Sequence, residues 1–322
     1  MRVLIALGGN ALLRPEEALS AKAQQRNAEQ AAQVIAEIAR DHEVIVTHGN
    51  GPQIGLLASR SEIRRDTAAE SPEQDAARDR SGAPPEPTGL DVLGAESEGW
   101  IGHLLGLALR NAAPSREIVS LLTQVEVDPL DPGFADPTKP IGRVLSQPPG
   151  SSALPMRRER SYARDRGGWR RVVASPEPRR ILELVTIERL VSAGVLVVCA
   201  GGGGIPVCRN RSGRLEGAEA VIDKDLTSAL LAASLGCERL LLLTDVENVY
   251  LDWPEATHPI RETPPDPLRR LLLDPGSMAP KVEAACRFVD STEGTAAIGR
   301  LEDGVAVLRG ERGTQITTVL HT

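Results

Sequence analysis

Aromatic residues are scarce: three Trp, two Tyr and two Phe in 322 residues. A packed interior on that composition has to be aliphatic, built from Leu, Val, Ile and Ala. The length is ample for one large domain or two small ones. Long apolar runs are missing near the start, where Val3–Leu7 stops after five residues at Gly8-Gly9-Asn10. That is too short for a signal-peptide core or a membrane span. Positive charge is not in excess, and a net charge of −7 argues against nucleic acid or an anionic membrane as main partner. The expectation is a soluble, cytoplasmic protein.

Cysteine is sparse and unpatterned. Cys199, Cys208, Cys237 and Cys286 lie 9, 29 and 49 residues apart, with no CxxC and no nearby histidine pair. The pattern does not suggest a zinc site and reads as reduced thiols behaving as small buried hydrophobes. No metal site is expected from protein ligands alone.

Lysine is the third scarcity. Only Lys22, Lys139, Lys224 and Lys281 occur, against 33 arginines. Three of the four sit in conspicuous segments: DPTKPIG, AVIDKDL and GSMAPKVEA. Arginine serves wherever any positive charge will do. Lysine is kept where a compact, mobile ammonium is needed as a point charge rather than a planar fork. The pattern points to an enzyme handling phosphate-like negative charge.

What is present is an alternation of short apolar runs and helical patterns. Val3–Leu7, Val44–Thr47, Ile118–Leu122, Leu196–Ala200 and Leu240–Thr244 read as buried strands. Ala28, Ala31, Ile35 and Ile38 give one apolar face to a helix around 22–41, and 97–111, 177–193, 225–235 and 280–290 have similar character. Gly194 and Gly236 fall where C′ glycines belong. The class is α/β, with a mainly parallel sheet covered on both faces. Val305–Leu308 and Ile316–Val319 are expected as an antiparallel edge. Residues 60–89 read as a surface insertion, 128–178 as a lid or small subdomain holding Lys139, and 252–277 as a Pro-rich loop.

Glycines cluster at strand ends: Gly8-Gly9-Asn10, Gly49-Asn50-Gly51 and Gly201-Gly202-Gly203-Gly204. In an open parallel sheet, ligands bind beyond the carboxyl ends of the strands, where glycine lets backbone amides approach an anion. One such loop alone reads more simply as a tight turn; three share one explanation. There is no GxxxxGK[ST], and GNGPQIG places its third glycine at 55 rather than 54, so neither a Walker ATPase nor a dinucleotide fold fits. Asp223-Lys224-Asp225 precedes a helix, with Asp225 expected at or near its N-cap; the alternative is a solvated capping cluster. Pro280 suits a helix start that aims Lys281 at phosphate. Thr244-Asp245 ends a strand, a place for a nucleotide, with Val249 and Tyr250 as apolar wall. No Ser–His–Asp or Cys–His pair is evident, and His48 and His103 read as structural.

Taken together, these motifs resemble the carbamate kinases of the amino acid kinase family. The match runs in order through ALGGNALL, VTHGNGPQIGLLA, LDVLGAESEGWIGHLL, DPTKPIG, GWRRVVASPEP, CAGGGGIPV, AVIDKDL, LLTDVENVY, GSMAPKVEAA and GTQI. The resemblance implies a single domain over 1–322: a three-layer αβα sandwich around a mostly parallel eight-stranded sheet, with a small protruding lid near 128–172. It implies a homodimer and reversible phosphoryl transfer between ATP and carbamate, with Mg²⁺ carried by the nucleotide. The N-terminal half would bind the small acid and about 215–322 the nucleotide. By motif, Gly8, Gly9, Asn10, Gly49, Asn50 and Gly51 would hold the carbamate or transferring phosphoryl group, beside Gly202 and Gly203. Lys139 would reach in from the lid, Lys224 and Lys281 would neutralise phosphate charge, and Asp225 would orient the lysines. Thr244, Asp245, Val249, Tyr250, Met278 and Pro280 would border the nucleotide. The chain departs from the family at 60–89 and after PIG, so a reshaped lid is expected. Kinases of glutamate, acetylglutamate, aspartate or uridylate, and a nucleotide sensor without turnover, are the rival readings.

Overall fold

The computed structural model describes residues 1–9, 17, 20–70, 88–147, 161–165, 167–274 and 276–318. Fifteen strands occur among them. In chain order they are β1 Arg2–Leu7, β2 Glu43–His48, β3 Ile118–Ser120, β4 Gln124–Val127 and β5 Lys139–Leu145. Then come β6 Ser161–Asp165, β7 Gly168–Val173, β8 Pro178–Ile181, β9 Leu196–Val198 and β10 Ile205–Arg209. The last five are β11 Leu215–Gly217, β12 Arg239–Thr244, β13 Glu262–Thr263, β14 Thr295–Arg300 and β15 Thr314–Ile316. The helices are α1 Ala21–Ile38, α2 Gly51–Glu70, α3 Leu90–Ala112, α4 Leu184–Ser192, α5 Lys224–Ser234, α6 Pro265–Arg269, α7 Met278–Ser291 and α8 Gly304–Leu308.

Eight strands form the main sheet in the order β13-β15-β14-β12-β1-β2-β9-β3. All neighbours in it run parallel except β14 and β15. The period-2 alternation of a strand sorts its side chains between two apolar layers. Leu4 and Ala6 of β1 face one, with residues of α4, α5 and α7. Val3, Ile5 and Leu7 face the other, with α1, α3 and α8. Helices on both faces of a parallel sheet explain why its strands read as unbroken apolar runs. Gly194 and Gly236 adopt φ of +83° and +61° just past α4 and α5, as C′ residues should.

Five segments differ from expectation. Val305–Leu308 is helical, because Gly304, Val307 and Leu308 turn to the core at spacings of three and four. Gly304 packs so closely that a Cβ there would lie 2.6 Å from Val34 Cγ1. The strand before it is TAAIGR of β14, paired between β12 and β15 although its Ala and Gly carry little strand propensity. Of Ile316–Val319, only Ile316 belongs to β15, and Val319 lies outside the described residues. Within 177–193 the helix starts only at Leu184; Pro178 opens β8, an edge strand that tolerates a missing N–H. Residues 60–70 continue α2 rather than leaving it, and 71–87 lie outside the described residues. The 252–277 segment contains β13 and α6.

Lys139 opens a separate three-stranded antiparallel sheet, β5-β7-β6. Its link to the body is tight. A Cβ on Gly55 of α2 would come within 2.1 Å of the Gly142 Cα, and Ile54, Ala58, Leu90, Leu93, Ile141, Val173 and Val221 form a small core beneath it.

Candidate active site

The parallel strands deliver their following loops to one end of the sheet. Gly8 N–H donates to Leu243 O at 2.8 Å and Gly49 N–H to Leu7 O at 3.0 Å. These amides extend the ladders, so both residues offer a ligand open backbone rather than an N–H. A Cβ on Gly49 would lie 3.1 Å from Gly9 N, and one on Gly9 3.5 Å from the Gly51 Cα, so the two loops are in contact. Gly202, at φ +68°, faces Asn50: a Cβ there would stand 2.5 Å from Asn50 Nδ2. Gly203, at φ +96°, donates its N–H to Ala200 O at 3.2 Å. Asn10 lies outside the described residues.

Above these loops sits the start of α5. Asp223 is its N-cap, accepting from Asp225 N–H at 2.9 Å and Leu226 N–H at 3.2 Å; Asp225 occupies the second helical position. Thr227 Oγ1 donates to Gly203 O at 3.0 Å, and Ser228 Oγ lies 2.7 Å from Thr47 Oγ1 of β2. These bonds fix the helix start against the glycine loop and the sheet.

The charges then converge. Lys224 Nζ donates to Asp225 Oδ1 at 2.6 Å, and Lys281 Nζ to Asp225 Oδ2 at 3.0 Å. Lys139, on the small sheet, pairs with Asp223 Oδ2. Burial pushes the Asp225 carboxyl up, but the two ammonium groups outweigh it and hold Asp225 well below the usual carboxylate range. Burial lowers Lys224, helped by the nearby positive Lys281, with Asp225 opposing. Burial also lowers Lys281, yet Asp225, then Asp223 and Asp245, leave it raised. One carboxylate shared by two ammonium groups leaves a surplus positive charge, which suits an incoming polyanion.

On the nucleotide side, Thr244 Oγ1 donates to Asp245 Oδ1 at 3.0 Å. Met278 opens α7 and packs on the core, with Pro280 and Lys281 in its first turn. The Tyr250 ring lies 6.3 Å from that of Trp253, and Tyr250 bridges to Pro259. Val249 is only 1% exposed and its side chain packs in the core, its N–H donating to Thr314 Oγ1 at 2.9 Å.

Two buried groups stand behind the glycine loop: Glu98, which escaped the sequence reading, and His48, read there as structural. Glu98 accepts from Gly201 N–H at 2.8 Å and Thr123 N–H at 3.2 Å, and burial pushes it up to about 8. Its signal was an acidic residue on the buried stripe of α3, between Gly94 and Ile101. His48 donates from Nδ1 to Gly49 O at 3.0 Å, which leaves Nε2 an acceptor with no partner among the described residues. Burial, assisted by Lys224, holds His48 down at about 4. The Gly201 backbone lies between the two: a Cβ on it would stand 2.4 Å from His48 Nε2 and 2.9 Å from Glu98 Cγ.

Residues 1–299 match the sequence model of the amino acid kinase family. The chain belongs to the amino acid kinase family. It is 46% identical over 325 residues to a carbamate kinase of Rhizobium meliloti, covering 99% of this chain and 94% of that one. With a carbamate kinase of Haemophilus influenzae it shares 42% over 319 residues, 98% of this chain and 97% of the relative. A Giardia lamblia carbamate kinase structure bound to AMP-PNP superposes with a TM-score of 0.82 at 35% identity, covering 98% of each chain.

Proposed function

We propose that this protein is a carbamate kinase, catalysing carbamoyl phosphate + ADP ⇌ carbamate + ATP. The reading is carried by one observation: three of its four lysines meet two aspartates at the strand ends of a chain matched nearly end to end by carbamate kinases.

In the direction of ATP use, a carbamate oxygen attacks the γ-phosphorus in line and the bond to the β-phosphate oxygen breaks. The electron pair stays on ADP. Carbamate is already an anion, so no general base and no covalent enzyme intermediate are required. Positioning and charge neutralisation are the work to be done. Gly8, Gly9, Gly49, Asn50, Gly51 and Gly202 would give the small acid and the transferring group close backbone approach. Lys224 and Lys281 would neutralise the phosphates, Asp225 would hold both in place, and Lys139 would close on the transferring group from the small sheet. Thr244, Asp245, Tyr250, Met278 and Pro280 would border the nucleotide.

Mg²⁺ arrives on the nucleotide in this reading, as part of the substrate. Among the described residues no three His, Cys, Asp or Glu side chains gather to hold an ion alone, and phosphate oxygens and water would supply ligands to the ion. A homodimer belongs to the same proposal, supported by exposed Val92 and Leu107 on α3 with nearby Leu122. No helix among the described residues is long and apolar enough to cross a membrane. A cytoplasmic location, where ATP and ADP are at hand, completes the reading.

The test is ATP formation from ADP with carbamoyl phosphate, run beside the acyl phosphates of glutamate, acetylglutamate and aspartate, and UDP. Turnover confined to carbamoyl phosphate is expected. Turnover of another substrate in its place overturns the carbamate assignment, and no turnover of any favours a nucleotide sensor.

A further inference from the structure

Asp223 uses its two oxygens differently. Oδ1 accepts both amides of the first turn of α5, at 2.9 and 3.2 Å. Oδ2 takes no part in the cap and receives the Lys139 ammonium. Asn and Ser cap a helix about as well as Asp, because one oxygen is enough. The helix therefore does not need the charge. The charge faces Lys139, whose long flexible stem would otherwise leave the ammonium free to sample many positions. The Lys139 side chain is 29% exposed, while that of Asp223 is 13% exposed and anchored by its cap bonds. The better-anchored partner sets the position of the other.

The geometry points to Asp223 as a positioning residue for phosphoryl transfer: its Oδ2 holds the Lys139 ammonium beside the start of α5, next to Lys224 and Lys281. The arriving phosphoryl group then displaces one carboxylate oxygen instead of recruiting a wandering lysine. The same pair ties the small sheet to α5 across 84 residues of sequence. This inference rests on the reading that Lys139 acts on the transferring group.

Asp223→Asn separates the two jobs. The amide oxygen keeps the cap, and its NH₂, a donor, faces an ammonium that needs an acceptor. The experiment measures kcat, KM for ADP and Tm for D223N, Lys139→Met and the double variant, with carbamoyl phosphate and ADP. We expect D223N to keep a Tm close to that of the parent and an unchanged KM for ADP. Its kcat should fall about 10–100-fold, the span of one lost charge-assisted hydrogen bond. In the K139M background the D223N change should have no further effect.

Near-parent kcat in D223N with impaired K139M overturns the positioning role and leaves the reading of Lys139 standing. Near-parent kcat in K139M overturns that reading itself. Additive losses in the double variant also overturn the inference, since Asp223 would then act elsewhere. If D223N melts markedly lower, the cycle is read with Asp223→Ser, whose hydroxyl also caps; the same coupling with K139M is required of it.

Discussion

Two aspartates two residues apart hold the lysines of the site, and they do so in opposite ways. Asp225 is buried with two ammonium groups on its two oxygens; the side chains of Lys224 and Lys281 are 9% and 13% exposed. Asp223 shares one oxygen with a lysine that is more exposed and belongs to another sheet. The inner cluster is rigid because each member would be an unpaired buried charge without the others. The outer pair is more easily broken because the Lys139 side chain, 29% exposed, can exchange its carboxylate for water. Glu98 completes the contrast. It is as buried as Asp225 but has no cation on it among the described residues, and its carboxyl goes up to about 8 where that of Asp225 goes down. Burial alone neutralises a carboxylate, while burial beside two lysines keeps it charged.

Asp225→Ala should have the greatest consequence. Two buried ammonium groups lose their partner, so a loss of about 3–5 kcal/mol in urea unfolding is expected, with activity collapsing alongside. A loss below about 1 kcal/mol, as for an exposed pair, would erase the distinction between inner and outer sites. Next come Lys224→Ala and Lys281→Ala. Each leaves Asp225 with one lysine, and each should lower kcat by about 10²–10³, the effect of one transition-state charge stabiliser. Near-normal kcat in both would sink the charge-neutralisation mechanism.

Lys139→Arg tests the outer pair. A guanidinium keeps the charge but not the compact ammonium, so kcat should fall by about tenfold or more, whereas the exposed Lys22→Arg should change neither kcat nor Tm. Full activity in K139R refutes the need for lysine there.

The smallest effect is a pH signature from Glu98. Its carboxyl moves from an ordinary 4.5 to about 8, so the folded protein keeps a proton that the unfolded chain loses. Stability from that group is present below pH 4.5 and is lost as pH rises to about 8. His48 has the opposite sense: moved from 6.5 to about 4, it removes stability as pH falls through that window. Between pH 6.5 and 8 only the Glu98 contribution remains of the two, so Tm should decline there more steeply in the parent than in Glu98→Gln. Parallel Tm profiles for the two proteins would show that Glu98 holds no proton.

Much of the fold was legible because its signals are local. The apolar runs of β1, β2 and β12 and the stripe Ala28, Ala31, Ile35, Ile38 report burial within a few residues of themselves. The end of the sheet was not. TAAIGR of β14 is small and weakly patterned, and it is a strand because β12 and β15 pair with it, while the more strand-like GVAVL beside it folds as α8. Of the candidate site, the lysines stood out by scarcity and the glycine loops by position. Asp223 was legible as a charge beside Lys224 but not as the partner of Lys139, and Glu98 looked like one more helical acid.

By itself the sequence determined residue types and periods: an aliphatic α/β sandwich, glycine at the strand ends, and lysine kept in three loaded segments. Those follow from composition and from spacings of two, three and four, which the chain carries locally. Tertiary structure decided which charges meet. Lys281 reaches Asp225 from 56 residues away and Lys139 reaches Asp223 from 84. Only the parallel sheet, by bringing its strand ends and the small sheet to one side, makes a single positive site of them. The spacing of charges along a chain does not encode that convergence; the packing of its apolar layers does.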